Sequence, residues 1–206
     1  AIALGIPMGV LAAVKRGSGW DYFGRGLAIV GQAAPPFVTA LVAIWIFAVW
    51  LEWLPAGGRS PEFNWKEYIL PCTALGWGAA ASLMRLTRSS MLEVLDSEYI
   101  RLARAKGVNW NWVIYKHALR NALIVPVTSA LLTFSGWLNG ALVVEIVFSW
   151  PGIGYEALYR AVNDNDFPLL LGTVFIFILI YLVFATIADI AYTIIDPRVR
   201  LGDSSE

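Results

Sequence analysis

Sulfur and imidazole are nearly missing from this sequence: its 206 residues include one cysteine, Cys72, and one histidine, His117. A lone cysteine cannot close an internal disulfide, and one Cys with one His cannot make a structural zinc site. A disulfide-stapled secreted domain and a metal-thiolate enzyme are therefore excluded. Charge is scarce too, at 15% of residues against roughly 25% in soluble domains. Fifteen Lys+Arg cancel fifteen Asp+Glu, so no excess of either sign points to nucleic acid or an acidic substrate. No G-x-x-x-x-G-K-[ST] occurs, which excludes a P-loop ATPase on this chain. No paired carboxylates or nucleophile–base set suits catalysis, and no metal-ligand set surrounds His117. An initiator Met and the basic flank of a signal peptide are also absent, so the opening at Ala1 reads as a fragment lacking its N-terminal part.

Apolar residues are abundant: 58% of the chain, with a mean hydropathy of +0.64. They collect in charge-free stretches over 1–14, 27–51, 68–84, 121–144 and 167–188. A bilayer core about 30 Å thick needs roughly 20 apolar residues as helix. Spans are expected near 1–14, 27–51, 68–84, 121–144 and 167–191, the first as the end of a longer one. Helices are the expected form, because barrel strands would alternate polar and apolar residues and these stretches do not. Five crossings put twelve basic residues on one side (Lys15, Arg16, Arg25, Arg85, Arg88, Arg101, Arg104, Lys106, Lys116, Arg120, Arg198, Arg200) and three on the other (Arg59, Lys66, Arg160). The positive-inside rule makes the first side, and with it the C-terminus, cytoplasmic. Trp20, Trp50, Trp53, Trp65 and Trp150 fall at span ends, as an interfacial belt requires. The residues from Gly202 onward read as a disordered tail.

The longest polar segment, 85–120, carries seven of the fifteen basic residues. Ser90 and Glu93 form an S-x-x-E capping box, predicting a helix start. Leu92, Leu95, Tyr99 and Leu102 then recur as one apolar stripe, flanked by Arg101 and Arg104. Gly107 offers the left-handed stop. A second short helix is expected from Asn109 or Asn111, through Trp112 and Tyr115, into the fourth span. Two readings follow: a basic helix on anionic headgroups, or an apolar ridge docked in a groove of a cytoplasmic partner.

The run Tyr99-Ile-Arg-Leu-Ala-Arg-Ala-Lys-Gly107, continued by His117-Ala-Leu-Arg-Asn-Ala122, resembles the EAA loop of binding-protein-dependent ABC importer permeases. It is most similar to the B-type subunit of the dipeptide, oligopeptide and nickel systems. Arg101 stands where the motif has Glu, six residues before Gly107, with Ala103 and Ala105 between. Val144-Glu-Ile-Val-Phe-Ser-Trp-Pro-Gly-Ile-Gly154 and the ending Asp196-Pro-Arg-Val-Arg-Leu-Gly202 extend the resemblance over essentially the whole chain. It implies an all-α polytopic membrane bundle of the type I ABC importer kind. One permease domain would cover 1–202, with five of an expected six spans, a coupling segment at 85–120 and a tail at 203–206.

The resemblance further implies a non-catalytic subunit forming half of a path for di- or oligopeptides, nickel or a similar small solute. It would lie in a bacterial or archaeal cytoplasmic membrane. Its partners would be a second homologous permease, two ABC ATPase subunits, an external substrate-binding protein and the lipid bilayer, with no nucleic acid. No cofactor is expected on this chain; ATP and Mg would sit on the ATPases. Arg101, Ala103, Arg104, Ala105, Lys106 and Gly107 would carry the coupling to them. Ala would permit close approach, Arg would supply forked hydrogen bonds, and Gly would permit the turn.

Other features stay open between two readings. Asn121, Thr128, Ser135 and Asn139 share one face of the fourth span, lining a translocation path or bonding a neighbouring helix. Gly136-x-x-x-Gly140 and Gly5-x-x-x-Gly9 permit close backbone approach, as do Gly76, Gly78 and Ala79 to Ala81. Pro35-Pro36 should kink the second span. Asp189, the one acid within a span, reaches the interface or serves as a coupling carboxylate. His117 contacts headgroups or a partner. Gly152-x-Gly154-x-x-Ala157 imitates a dinucleotide fingerprint without its βαβ setting, and Trp150-Pro151-Gly152 reads instead as an interfacial turn. The rival to the importer is a stand-alone ion-coupled carrier, for which Asp189 would be the coupling group.

Overall fold

The computed structural model describes residues 1–195. The side chains of 132, 134–136, 138–140, 188–189 and 191–195 lie outside that description. The described residues form helices and connecting turns, in order α1 (Ile2–Val14), α2 (Gly19–Ala33), α3 (Pro36–Ala43), α4 (Trp65–Leu95), α5 (Glu98–Ala105), α6 (Trp110–Trp112), α7 (Leu119–Ala122), α8 (Ile124–Val147), α9 (Arg160–Asn163) and α10 (Phe167–Ile195). Wider π turns continue α3 over Ile44–Trp50, join α6 to α7 over Val113–Ala118, and precede α9 over Gly154–Tyr159. Among the described residues, Trp65–Leu95 and Phe167–Ile187 are each long and apolar enough to cross a membrane.

The chain divides into two compact units. Among the described residues, the first comprises Ala1–Ala33, Ala79–Leu132 and 188–195; the second comprises Ala34–Gly78 and Thr133–Ile187. In the first unit α1 lies hard against α4. A Cβ on Gly5 would stand 2.7 Å from the Ala80 carbonyl oxygen, and one on Gly9 would stand 2.6 Å from Thr87 Cβ. The Gly5-x-x-x-Gly9 spacing thus does what it suggested. Asp21 in the first turn of α2, ahead of the charge-free stretch, is 1% exposed. It accepts two hydrogen bonds from Arg88, Nε at 2.7 Å and Nη2 at 3.0 Å, and one from the Gly17 amide at 3.0 Å. The Arg88 bonds hold its carboxyl at about 2, below the ordinary aspartate value. In the second unit Ala40, Leu70, Ala74, Val144 and Phe148 form the buried cluster.

Two sequence expectations are corrected. Ser90 and Glu93 do not start a helix, because α4 runs unbroken from Trp65 to Leu95. Thr87, Ser90 and Met91 are buried, and Met91 shares a cluster with Ala13, so tertiary packing overrides the local cap pattern. The stripe Leu92, Leu95, Tyr99 and Leu102 is consequently divided between α4 and α5, interrupted at Asp96–Ser97. The kink expected at Pro35-Pro36 is present as a break in the helix: Pro35 is extended at φ −58°, ψ 150°, and α3 begins at Pro36. Proline removes a helical donor, and the residue preceding a proline avoids the helical region. The close approach expected at Gly136-x-x-x-Gly140 falls on positions outside the described side chains, as do the expectations for Ser135, Asn139 and Asp189; Asp196 to Gly202 and the tail 203–206 lie outside the described residues.

Candidate functional site

Segment 96–122 of the first unit is a short helix set on an apolar base. Ser97 is extended (φ −72°, ψ 153°) and α5 begins after it, with Glu98 in the favourable first turn. Ile100, 1% exposed, is the anchor. It packs in one cluster with Ala13, Met91, Val113, Ile114, Ala118 and Ala122, with Ala103 and Val108 at the margin. Away from this anchor α5 is open: Leu102 is 57% exposed, and Arg101, Arg104, Ala105 and Lys106 are exposed as well. Arg101 Nη1 donates to Glu98 Oε1 at 2.8 Å, a surface pair that orients the guanidinium more than it stabilises the helix.

The C-terminus of α5 is a Schellman motif. The Val108 amide donates to the Ala103 carbonyl at 3.2 Å and the Gly107 amide to the Arg104 carbonyl at 3.0 Å. Gly107 takes φ +75°, the left-handed conformation that glycine adopts without a Cβ penalty. Arg104 then lies over the Trp110 ring, 4.8 Å from its centroid, a cation–π contact that fixes the side chain without neutralising it. Asn109 caps the next helix, its Oδ1 accepting from the Asn111 amide at 3.0 Å. The π turns Val113–Ala118 follow, burying Val113, Ile114 and Ala118.

The six sequence-predicted coupling residues therefore share one helix and its terminal turn, five of them exposed and Ala103 half-buried. Of the four residues of the polar face, the side chains of Asn121 and Thr128 are described. Asn121, exposed, donates from Nδ2 to the Tyr99 hydroxyl at 3.1 Å and the His117 carbonyl at 2.9 Å. That ties α7 to α5. Thr128 is buried, its hydroxyl donating to the Ile124 carbonyl at 2.8 Å. A turn at Leu123 separates the two helices that carry them.

The sequence shows Trp150-Pro151-Gly152 only as a turn. Its organising group is Glu145, whose Oε2 accepts from the Tyr155 amide at 2.9 Å. The carboxylate occupies the space beside Gly152, where a Cβ would meet its atoms at 2.2–2.4 Å. The paired glycines after an upstream acid were the only available signal. Among the described residues no group of three or more His, Cys, Asp or Glu could hold a metal ion.

A family model for the binding-protein-dependent transport system inner membrane component matches residues 5–201. The glutathione transport system permease protein GsiC of Salmonella typhimurium is 40% identical over 200 residues, covering 97% of this chain and 64% of the relative. The dipeptide transport system permease protein DppB of Alkalihalophilus pseudofirmus is 40% identical over 225 residues, covering 97% and 67%. A peptide permease of Brucella suis, named as putative, is 39% identical over 208 residues, covering 98% and 65%. The chain thus spans just under two-thirds of the length of the Brucella and Salmonella relatives. With a match over most of its length and helices fit to cross a bilayer, this multi-pass membrane chain belongs to the family of binding-protein-dependent transport system inner membrane components.

Proposed function

We propose that this chain is the permease subunit of an ATP-driven ABC importer for di- or oligopeptides or a similar small solute. The relatives are named for peptide, dipeptide and glutathione transport, and that substrate class carries over to this chain by similarity. Partners follow from the same reading: a second permease, two ATPase subunits holding ATP and Mg, and an external binding protein. The C-terminus faces the cytoplasm, in keeping with the twelve-to-three bias of basic residues. Family membership favours this reading over an ion-coupled carrier.

The observation that carries the mechanism is α5: a helix pinned from below by Ile100, with its cationic face open. A coupling element has to be stiff toward its own subunit and adhesive toward the partner. The buried anchor and the Gly107 turn supply the first property. Arg101, Arg104, Lys106 and Leu102 supply the second. Closure of the ATPase dimer then moves α5 as a rigid body, and the helices packed on it follow.

Uptake of labelled dipeptide by the assembled transporter in proteoliposomes tests this. Uptake should require internal ATP and the external binding protein. An Arg104→Ala, Lys106→Ala variant should lower it by on the order of tenfold, about the effect of losing two interfacial charge contacts. Uptake driven by an ion gradient without ATP would contradict the reading.

A further inference from the structure

The segment after α5 carries a second set of exposed groups. Asn111, Trp112, Tyr115, Lys116 and Arg120 line an open groove of about 430 Å³, within the roughly 300–1,000 Å³ common for ligand sites. Trp112 and Tyr115 are 59% and 65% exposed. Lys116 Nζ stands 4.8 Å from the Trp112 ring centroid, and Arg120 follows four residues later. Among the described residues neither cation pairs with a carboxylate. The groove lining therefore holds two cations and no acid. It ends where the charge-free stretch 121–144 begins, the level at which a membrane helix meets headgroups.

Two unneutralised cations beside two exposed aromatic rings at that depth match one ligand chemistry: an acidic phosphodiester carrying acyl chains. Ammonium and guanidinium groups donate to phosphate oxygens. Trp and Tyr rings prefer the interfacial layer, with an apolar body and a polar tip. We propose that this groove binds the headgroup of an anionic glycerophospholipid of the phosphatidylglycerol kind, drawn from the surrounding bilayer. A soluble ATPase is the competing occupant. Charge complementarity and the junction with an apolar stretch favour the lipid, because a soluble partner would have to reach into the headgroup layer. The inference rests on the membrane reading given above, and not on the coupling role of α5.

The test uses the assembled transporter in nanodiscs containing equal phosphatidylcholine and phosphatidylglycerol, with retained lipid read by native mass spectrometry after mild detergent extraction. Phosphatidylglycerol should be retained over phosphatidylcholine by on the order of tenfold. The Lys116→Gln, Arg120→Gln double variant should bring the two lipids to parity, and Lys116→Arg with Arg120→Lys should keep the preference. Parity in the unsubstituted protein, or an undiminished preference in the Gln variant, overturns the proposal. A photoreactive benzoylphenylalanine in place of Tyr115 should crosslink to phosphatidylglycerol; crosslinks to an ATPase subunit alone overturn it as well. Loss of the coupling role would show separately, as missing ATPase crosslinks from α5.

Discussion

The turns at Gly107 and at Gly152 both carry glycine, and they use it for opposite purposes. At Gly107 a Cβ would meet nothing within 4 Å, and the backbone sits at φ +75°. Glycine is there for conformation, in a turn that stands clear of its surroundings. At Gly152 the conformation is not left-handed, but a Cβ would strike the Glu145 carboxylate. Glycine is there for space, in a turn packed down on a carboxylate that accepts from the Tyr155 amide. The first turn presents a surface and the second closes over a part-buried contact. That difference is what the coupling reading requires of α5: a stiff base under a face left free for another molecule.

The comparison fails first if the base under α5 is not stiff. Ile100→Ala removes its buried anchor and should destabilise the first unit by about 2–5 kcal/mol, the range for truncating a large aliphatic core side chain. Thermal unfolding of the detergent-solubilised protein reads this, and a Tm unchanged from the parent would refute the anchoring. Next in size, Gly152→Ala should cost about 1–3 kcal/mol by overpacking. Adding Glu145→Ala should make room for the new methyl, so the double variant should lose less than the two single losses added together. Strict additivity would mean that the glycine serves conformation there after all.

Gly107→Ala should cost about 1–2 kcal/mol through the left-handed backbone alone. Gly107→Asn should recover part of it, since Asn tolerates that region better. Equal losses for Ala and Asn would show that space, not φ, governs the site. The smallest effect belongs to the face itself. Arg104→Ala and Lys106→Ala should change stability by no more than the roughly ±0.5 kcal/mol typical of surface substitutions while lowering uptake.

How much of this was legible depends on the distance over which each contact acts. The Gly107 stop and the Asn109 cap were readable because both are backbone effects settled within three residues. The S-x-x-E at Ser90 and Glu93 misled for the same reason, since a local cap pattern carries no knowledge that Met91 is buried beside Ala13. The break at Pro35-Pro36 was legible as a disturbance of the helix, while the hydropathy of residues 27–51 is continuous across it. Asn121 was grouped with Thr128 by a spacing of seven. Its actual partner, Tyr99, is 22 residues away, and no periodicity reports a tertiary hydrogen bond. Glu145 was invisible as an organising group because its role depends on the chain reversing through Trp150 and Pro151 to bring the Tyr155 amide back to it.

Single cysteines at positions 98–107, crosslinked in native membranes with and without ATP, test the central claim most directly. The open face predicts crosslinks to an ATPase subunit from positions 101, 102, 104, 105 and 106, changing with ATP, and none from position 100 beneath the helix. Free reaction with a soluble thiol probe at all the open positions, with no protein crosslink at any of them, would contradict the account of α5 as the coupling element.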